Sequence, residues 1–254
     1  MTLLVLACFS ASLAALALMW VRQLRTQDAT SVDVAWSFSL TGMAIAYGLF
    51  AEGDPARRAL VATLGAVWSA RLGWYLYATR VRAARGEDGR YRALRSGWGP
   101  HAPRHFLGVY VAQSVAATLF SLPLLFAMRG GPLDLWAVAG TAVWMVAVAG
   151  ETAADRQLAA FRTRPSNRGE VCRDGLWRWS RHPNYFFEWL HWWAYVLIGH
   201  GTPVTFVGPV VMLALLLKGT GIPHTERQAL RSRGEKYREY MRVTSAFIPW
   251  PPSR

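Results

Sequence analysis

RWSRHPNYFFEWLHWW, residues 178–193, passes from two arginines into an almost unbroken aromatic run, yet keeps Glu188 and His191 inside that run. A basic-to-apolar edge of this kind reads as a helix entering a bilayer from the aqueous side, with aromatic rings at the interface. The two ionisable groups then have to face the interior of a helix bundle, because a charge turned to lipid costs roughly 2.5–3.5 kcal/mol or more.

The rest of the chain agrees with a membrane setting. Of 254 residues 53% are hydrophobic, 13 are tryptophan and only 17% are charged, which is unusual for a soluble domain of this length. A ruler of about 20 apolar residues per helix marks seven segments: 2–21, 32–50, 59–77, 106–128, 133–154, 185–199 and 204–217. The last two are short and flank GHGTP, residues 199–203, which reads as a tight turn between two helices, with a single bent helix as the alternative. The first segment lacks a charged leader and a small-residue cleavage site and is kept as a helix.

Basic residues give an independent test, since short cytoplasmic loops are rich in Lys and Arg. Arg22 and Arg25 follow segment one, seven arginines from Arg80 to Arg104 follow segment three, seven from Arg156 to Arg181 follow segment five, and eight basic residues from Lys218 to Arg254 follow segment seven. These are 24 of the 28 basic residues; Arg57, Arg58 and Arg129 fall in the opposite loops and Arg71 within segment three. The alternation predicts an all-α bundle of seven transmembrane helices in one domain, 1–254, with the N-terminus outside and the C-terminus cytosolic. The net charge of +13 is thereby gathered on one face, and basic loops dilute the apolar helices to a mean hydropathy of +0.16. Such a face suits topology and anionic lipid or a phosphate-bearing soluble ligand; no groove-reading motif suggests nucleic acid. Cys8 and Cys172 fall in a helix and a distant loop, which predicts neither a disulfide nor a thiolate metal site.

Chemistry concentrates in the last hundred residues. Glu151 and Asp155 are four apart on one helical face, Glu151 at or just inside the membrane edge, and Arg162 follows two turns later; Asp155 and Arg162 also suit a helix end dissolving into water. His182-Pro183-Asn184 reads as a helix start with proline in the first turn, whose free N–H groups, with Arg178 and Arg181, suit a phosphate or pyrophosphate. Asn184, Glu188 and His191 recur at i, i+4 and i+7, making one face polar over two turns. Glu188 paired with Arg71 is the purely structural alternative, and a metal site of His182, Glu188 and His191 lacks the i, i+4 histidine pair of a zinc helix. The tail GIPHTERQALRSRGEKYREYMRVTSAFIPWPP is basic and amphipathic with Tyr237 and Tyr240 one turn apart, which suits a surface helix or a cover folded over the loop before segment six.

GLWRWSRHPNYFFEW followed by GEKYREYMRVTSAFIPW resembles the steroid 5-alpha-reductase superfamily, especially its bacterial members, and the related sterol reductases. The resemblance is clearest over residues 151–252; in the N-terminal half only VDVAWSF and ARLGWYLYATR match. It implies an NADPH-dependent reduction of a carbon-carbon double bond conjugated to a ketone, in a 3-oxo-4-ene steroid or a similar lipophilic enone. It implies a substrate side in residues 1–128 and a cofactor half in 129–254. By matching positions Asp155, Arg162 and Arg173 hold the nucleotide end, Asn184 and Glu188 lie along the nicotinamide, and Tyr185, His224 and Tyr237 are further wall residues; Arg181 and His182 join them from the anion-site reading. Glu188 is also expected to act in turnover. Characterised members place a glutamate and a tyrosine from N-terminal helices at the substrate carbonyl, where a donor stabilises the developing enolate. Here Trp68 stands at the tyrosine-equivalent position, leaving Asp33 as the acidic candidate, which equally suits a helix cap, and Tyr47, Tyr75 and Tyr77 as hydroxyl candidates.

RHPNY and the tyrosine-rich tail also resemble membrane methyltransferases that use S-adenosylmethionine on isoprenylcysteine carboxyls or phospholipid amines. The remaining alternative is a lipid-binding or transport protein without a cofactor. The reductase reading carries an expected setting: a monomer in a bacterial inner membrane, its lipophilic substrate entering from the bilayer and its cofactor from the cytosol.

Overall fold

A computed structural model describes residues 1–83, 86–219 and 221–253; Arg85 and Arg254, counted among the basic residues above, lie outside them. Of the described residues 80% are helical, and none is in a strand. Two units emerge: Met1–Asp134 with Gly199–Thr205, and Leu135–Ile198 with Phe206–Arg254.

The first unit holds α1 (Thr2–Thr26), α2 (Val32–Phe50), α3 (Pro55–Leu76), a π-helical turn at Tyr77–Arg82, α4 (Gly89–Trp98) and α5 (Ala102–Ala127). Asp54 starts α3 by accepting from the N–H groups of Ala56 and Arg57, with Pro55 in the first turn, where its missing N–H costs nothing. This cap begins the helix at 55, four residues before the apolar run. α2 packs against α3 and α5, and α1 lies on α5 and α2. Leu16, Val32, Tyr91, Phe106 and Tyr110 form a buried cluster at the polar end, and buried hydroxyl pairs, Tyr47 with Ser121 at 3.0 Å and Thr41 with Ser69 at 2.7 Å, join helices further along. A Cβ on Gly65 would come within 2.7 Å of Leu124, so glycine sets how closely α3 approaches α5.

The second unit holds α6 (Leu135–Thr163), α7 (Pro183–Ile198), α8 (Val207–Lys218), α9 (Ile222–Arg233) and α10 (Glu235–Val243), with short 3-10 turns at Pro165–Asn167 and Gly175–Arg178. α6 and α7 run antiparallel in close contact. A Cβ on Gly140 would lie 2.6 Å from Ile198, and one on Gly150 2.5 Å from Phe187, the small-residue packing that lets helices approach where lipid supplies no hydrophobic drive.

Five helical stretches among the described residues are long and apolar enough to cross a membrane: Thr2–Thr26, Val32–Phe50, Gly89–Ala127, Leu135–Thr163 and Pro203–Arg233. In the first only 17% of the apolar window is buried, and Leu3, Leu6 and Leu18 are exposed. Apolar surface on that scale calls for lipid. α3, carrying Arg57, Arg58 and Arg71, and the 16-residue α7 fall short of that measure. GHGTP separates α7 from α8, with His200 and Gly201 at φ 53° and 67°, so the two-helix reading stands and the single bent helix does not. α4 was not expected from hydropathy. α6 continues beyond 154 to Thr163, which sets Asp155 and Arg162 on regular helix.

Candidate functional site

Asp155 and Asn184 are joined directly: the Asn184 amide donates to Asp155 Oδ1 at 3.2 Å. Deeper in the same helix pair the indole of Trp144 comes up to the hydroxyl of Tyr195. Both meetings share one antiparallel offset, which puts Glu151 level with Glu188 and Val148 level with His191. At about 100° per residue, Asn184, Glu188, His191 and Tyr195 lie within an arc of roughly 60°, a polar stripe three turns long. His191 is fully buried, and its Nδ1 faces the Glu188 carbonyl at 2.6 Å. A carbonyl only accepts, so Nδ1 carries hydrogen and, in the neutral ring, Nε2 is the acceptor.

At the polar end the loop before α7 is bolted to α6. Gln157 Oε1 accepts from the Leu176 N–H at 2.9 Å, and the Trp177 indole donates to the Ala154 carbonyl at 2.9 Å. The tail then closes over this loop. Tyr240 donates to the carbonyls of Trp177 and Ser180, Ser180 Oγ donates to the Phe247 carbonyl at 2.8 Å, and the Trp250 N–H donates to the Trp179 carbonyl at 2.9 Å. Arg181 is the centre of the closure: its Nε meets Glu226 at 2.7 Å, and Nη1 donates to the carbonyls of Met241 and Thr244 at 3.1 and 2.6 Å. His182 Nε2 lies 3.4 Å from the same Glu226 oxygen, and its ring stacks on Tyr185 at 5.2 Å. The Tyr185 hydroxyl meets Thr225 Oγ1 at 3.2 Å.

Burial alone would raise the Glu226 carboxyl, but hydrogen bonds from His182 and Arg181 and their positive charge prevail and hold it below its ordinary value. Burial, reinforced by the Glu226 charge, pushes the Tyr237 phenol up to about 12.

Of the expected site residues, the structure thus joins Asp155 to Asn184, sets Glu188 on the same stripe, and gathers Arg181, His182, Tyr185 and Tyr237 around Glu226. Arg181 is committed to the tail. Arg162, Arg173 and His224 are exposed on this unit, with Arg173 lying 5.6 Å from the centre of the Tyr240 ring. Sequence reading passed over Glu226, whose signal is an acid within a basic tail, and Tyr195, which continues the i, i+4, i+7 spacing one turn further.

Asp33 sits in the other unit, at the start of α2. It makes no cap there. Oδ2 accepts from Arg80 at 3.0 Å and Arg90 at 2.6 Å, and Oδ1 accepts from the Tyr91 hydroxyl at 2.6 Å. Both oxygens therefore serve as acceptors that tie α2 to the π-turn and α4, and neither is placed as a donor. Asp33→Asn is expected to cost about 1–2 kcal/mol in thermal denaturation of the detergent-solubilised protein. The value falls below that of a fully buried pair because Arg80 and Arg90 are more than a third exposed. A wild-type melting curve would deny this tie. Tyr47 is buried on Ser121, Trp68 is buried, and Tyr75 and Tyr77 are exposed.

Comparison with known proteins finds a relative in Schizosaccharomyces pombe, the uncharacterized protein C594.04c, 26% identical over 261 residues that span 91% of this chain and 75% of the relative. No solved structure matches. Residues 19–244 match the family described as "Protein of unknown function (DUF1295)", and with nearly the whole chain inside that match, the protein belongs to the DUF1295 family.

Proposed function

We propose that the protein is an NADPH-dependent membrane reductase acting on a carbon-carbon double bond conjugated to a ketone in a lipophilic substrate. The observation that carries this reading is the polar stripe of α7, joined to Asp155 on α6 and running inward between apolar faces from a rim of exposed arginines. The family includes steroid 5-alpha-reductase-like proteins, and the motif resemblance of residues 151–252 points the same way. In this reading α3 and α7 also span the bilayer, as short or arginine-bearing helices within a bundle, giving seven spans with the N-terminus outside and the C-terminus cytosolic.

The residues suit the cofactor. Exposed Arg162 and Arg173 on the polar side match the phosphates, while the amide and carboxyl groups of Asn184, Asp155 and Glu188 match a carboxamide and ribose hydroxyls. NADPH, when bound, supplies the hydride. Asp155, at the nucleotide end, and Asn184, on the nicotinamide side, orient each other through their hydrogen bond. Arg181, His182 and Tyr237 act from behind, fixing the α7 entrance by locking the tail. The apolar surroundings of α6 and α7 exclude water and strengthen every polar contact made to the substrate.

Detergent-purified protein is expected to be stabilised by NADPH and not by S-adenosylmethionine in a thermal-shift titration. Asn184→Ala and Arg162→Ala should each weaken NADPH about 10-fold, the worth of one well-made hydrogen bond or charge contact, while Glu188→Gln should slow enone-dependent NADPH oxidation more than it weakens binding. Stabilisation by S-adenosylmethionine alone would replace this reading with the methyltransferase one.

A further inference from the structure

We propose that Tyr195, with Trp144 beside it, forms a subsite for the carbonyl oxygen of a lipophilic ligand. Tyr195 is fully buried in the middle of the second unit. The Trp144 indole N–H comes up to its hydroxyl oxygen, both atoms are shielded from solvent, and the Tyr195 O–H itself finds no acceptor among the described residues. A phenol O–H left without an acceptor at membrane depth is expensive, costing about 1–3 kcal/mol, and native structures keep such a group where something else satisfies it.

The ligand's chemistry follows from the donors. A phenol O–H and an indole N–H together suit an acceptor, and in apolar surroundings a neutral carbonyl is far cheaper to bury than an anion. Helical side chains lean toward the helix N-terminus, so the Tyr195 hydroxyl reaches back over His191, whose ring meets the Tyr195 ring edge-on at 5.9 Å. The subsite therefore continues the Asn184–Glu188 stripe inward. That the bound carbonyl belongs to the enone being reduced rests on the reductase reading; the subsite itself does not. In that case Tyr195 is a catalytic residue, stabilising the oxygen on which negative charge develops, a role for which Trp68 offers no hydroxyl.

The test uses full-length protein in detergent and three ketones, cholest-4-en-3-one, geranylacetone and a long-chain 2-enone, each paired with its deoxygenated hydrocarbon. Equilibrium binding is measured without NADPH. Wild type should prefer at least one ketone to its hydrocarbon. Tyr195→Phe, which keeps the ring, should lose that preference about 10-fold, with unchanged binding of the hydrocarbon, and Trp144→Phe should lose less. NADPH affinity, measured separately, should be the same in all three proteins. Absence of a ketone preference in wild type, or an undiminished one in Tyr195→Phe, overturns the subsite. A preference lost in Tyr195→Phe in a protein that does not bind NADPH sustains the subsite and sinks the reductase reading instead.

Discussion

Arg181→Met should release the C-terminal tail from the α7 entrance, raising the rate of limited proteolysis within residues 222–250 on the order of a hundredfold. The side chain is only 9% exposed. It is the one group that meets Glu226, the Met241 carbonyl and the Thr244 carbonyl at once. Methionine keeps much of the volume but leaves two carbonyls without their donor and the part-buried Glu226 carboxylate with His182 alone, and breaking a buried pair from one side costs up to about 3–5 kcal/mol. The tail's other ties, Tyr240 on Trp177 and Ser180, Ser180 on Phe247 and Trp250 on Trp179, are neutral hydrogen bonds of the same tail and loop, so the loss falls on local opening there and not on the helix bundle. Arg181→Lys should lie between the two, because an ammonium restores charge but not the fork that reaches three acceptors. The same clamp gives a pH dependence. Glu226 is held below its ordinary value, so its contribution is complete above the unfolded carboxylate range and is lost as pH falls through the depressed one. Wild-type protection in Arg181→Met would show that the tail is fastened elsewhere.

Much of the helix pattern was legible because a bilayer imposes apolar lengths that a single sequence displays. Residues 2–21, 32–50 and 106–128 became α1, α2 and α5 with small shifts, and GHGTP became a turn because His200 and Gly201 take up backbone angles a helix cannot. The errors have one origin. An apolar ruler stops where charge begins, but a helix does not, so segment 133–154 ends short of α6, whose charged end the spacing of Glu151, Asp155 and Arg162 already sets on a helix, and α4, with its arginines, falls between apolar segments. The site was legible where it is local: Asn184, Glu188 and His191 declare themselves by spacing. The partner of Arg181 was not, since Glu226 lies 45 residues away and no periodicity links them. Asp33 shows the same limit from the other side. Its position beside Ser31 suggested a cap, whereas arginines 47 and 57 residues away decide its use.

Arg57→Met should be the most damaging single change in the first unit, lowering the melting temperature in detergent on the order of 10 °C. Arg57 is one of the few basic residues that fall outside the four basic stretches of the sequence, and its surroundings explain why it can be there. It is 1% exposed, with Nε donating to the Gly131 carbonyl at 2.7 Å and Nη2 to the Pro132 carbonyl at 3.0 Å and to Asp134 at 2.8 Å. Asp134 in turn receives His200 Nε2 at 2.7 Å, so one guanidinium fixes the start of α3, the loop after α5 and the turn at His200. Removing it takes the donor from two carbonyls and one partner from Asp134, which is 34% exposed and keeps His200, about 2–4 kcal/mol, and each kcal/mol moves the midpoint roughly 2–4 °C in a chain of this size. Gly130→Ala should reproduce much of the loss with Arg57 intact, because a Cβ there would stand 2.7 Å from Arg57 Nε. Arg58→Met is the control. Arg58 donates only to the carbonyls of Leu49 and Ala51, and its loss should cost about 1 kcal/mol. If Arg57 and Arg58 prove equally dispensable, the buried guanidinium tolerates replacement by packing alone, and the junction is held by the apolar contacts of α3 with α2 and α5.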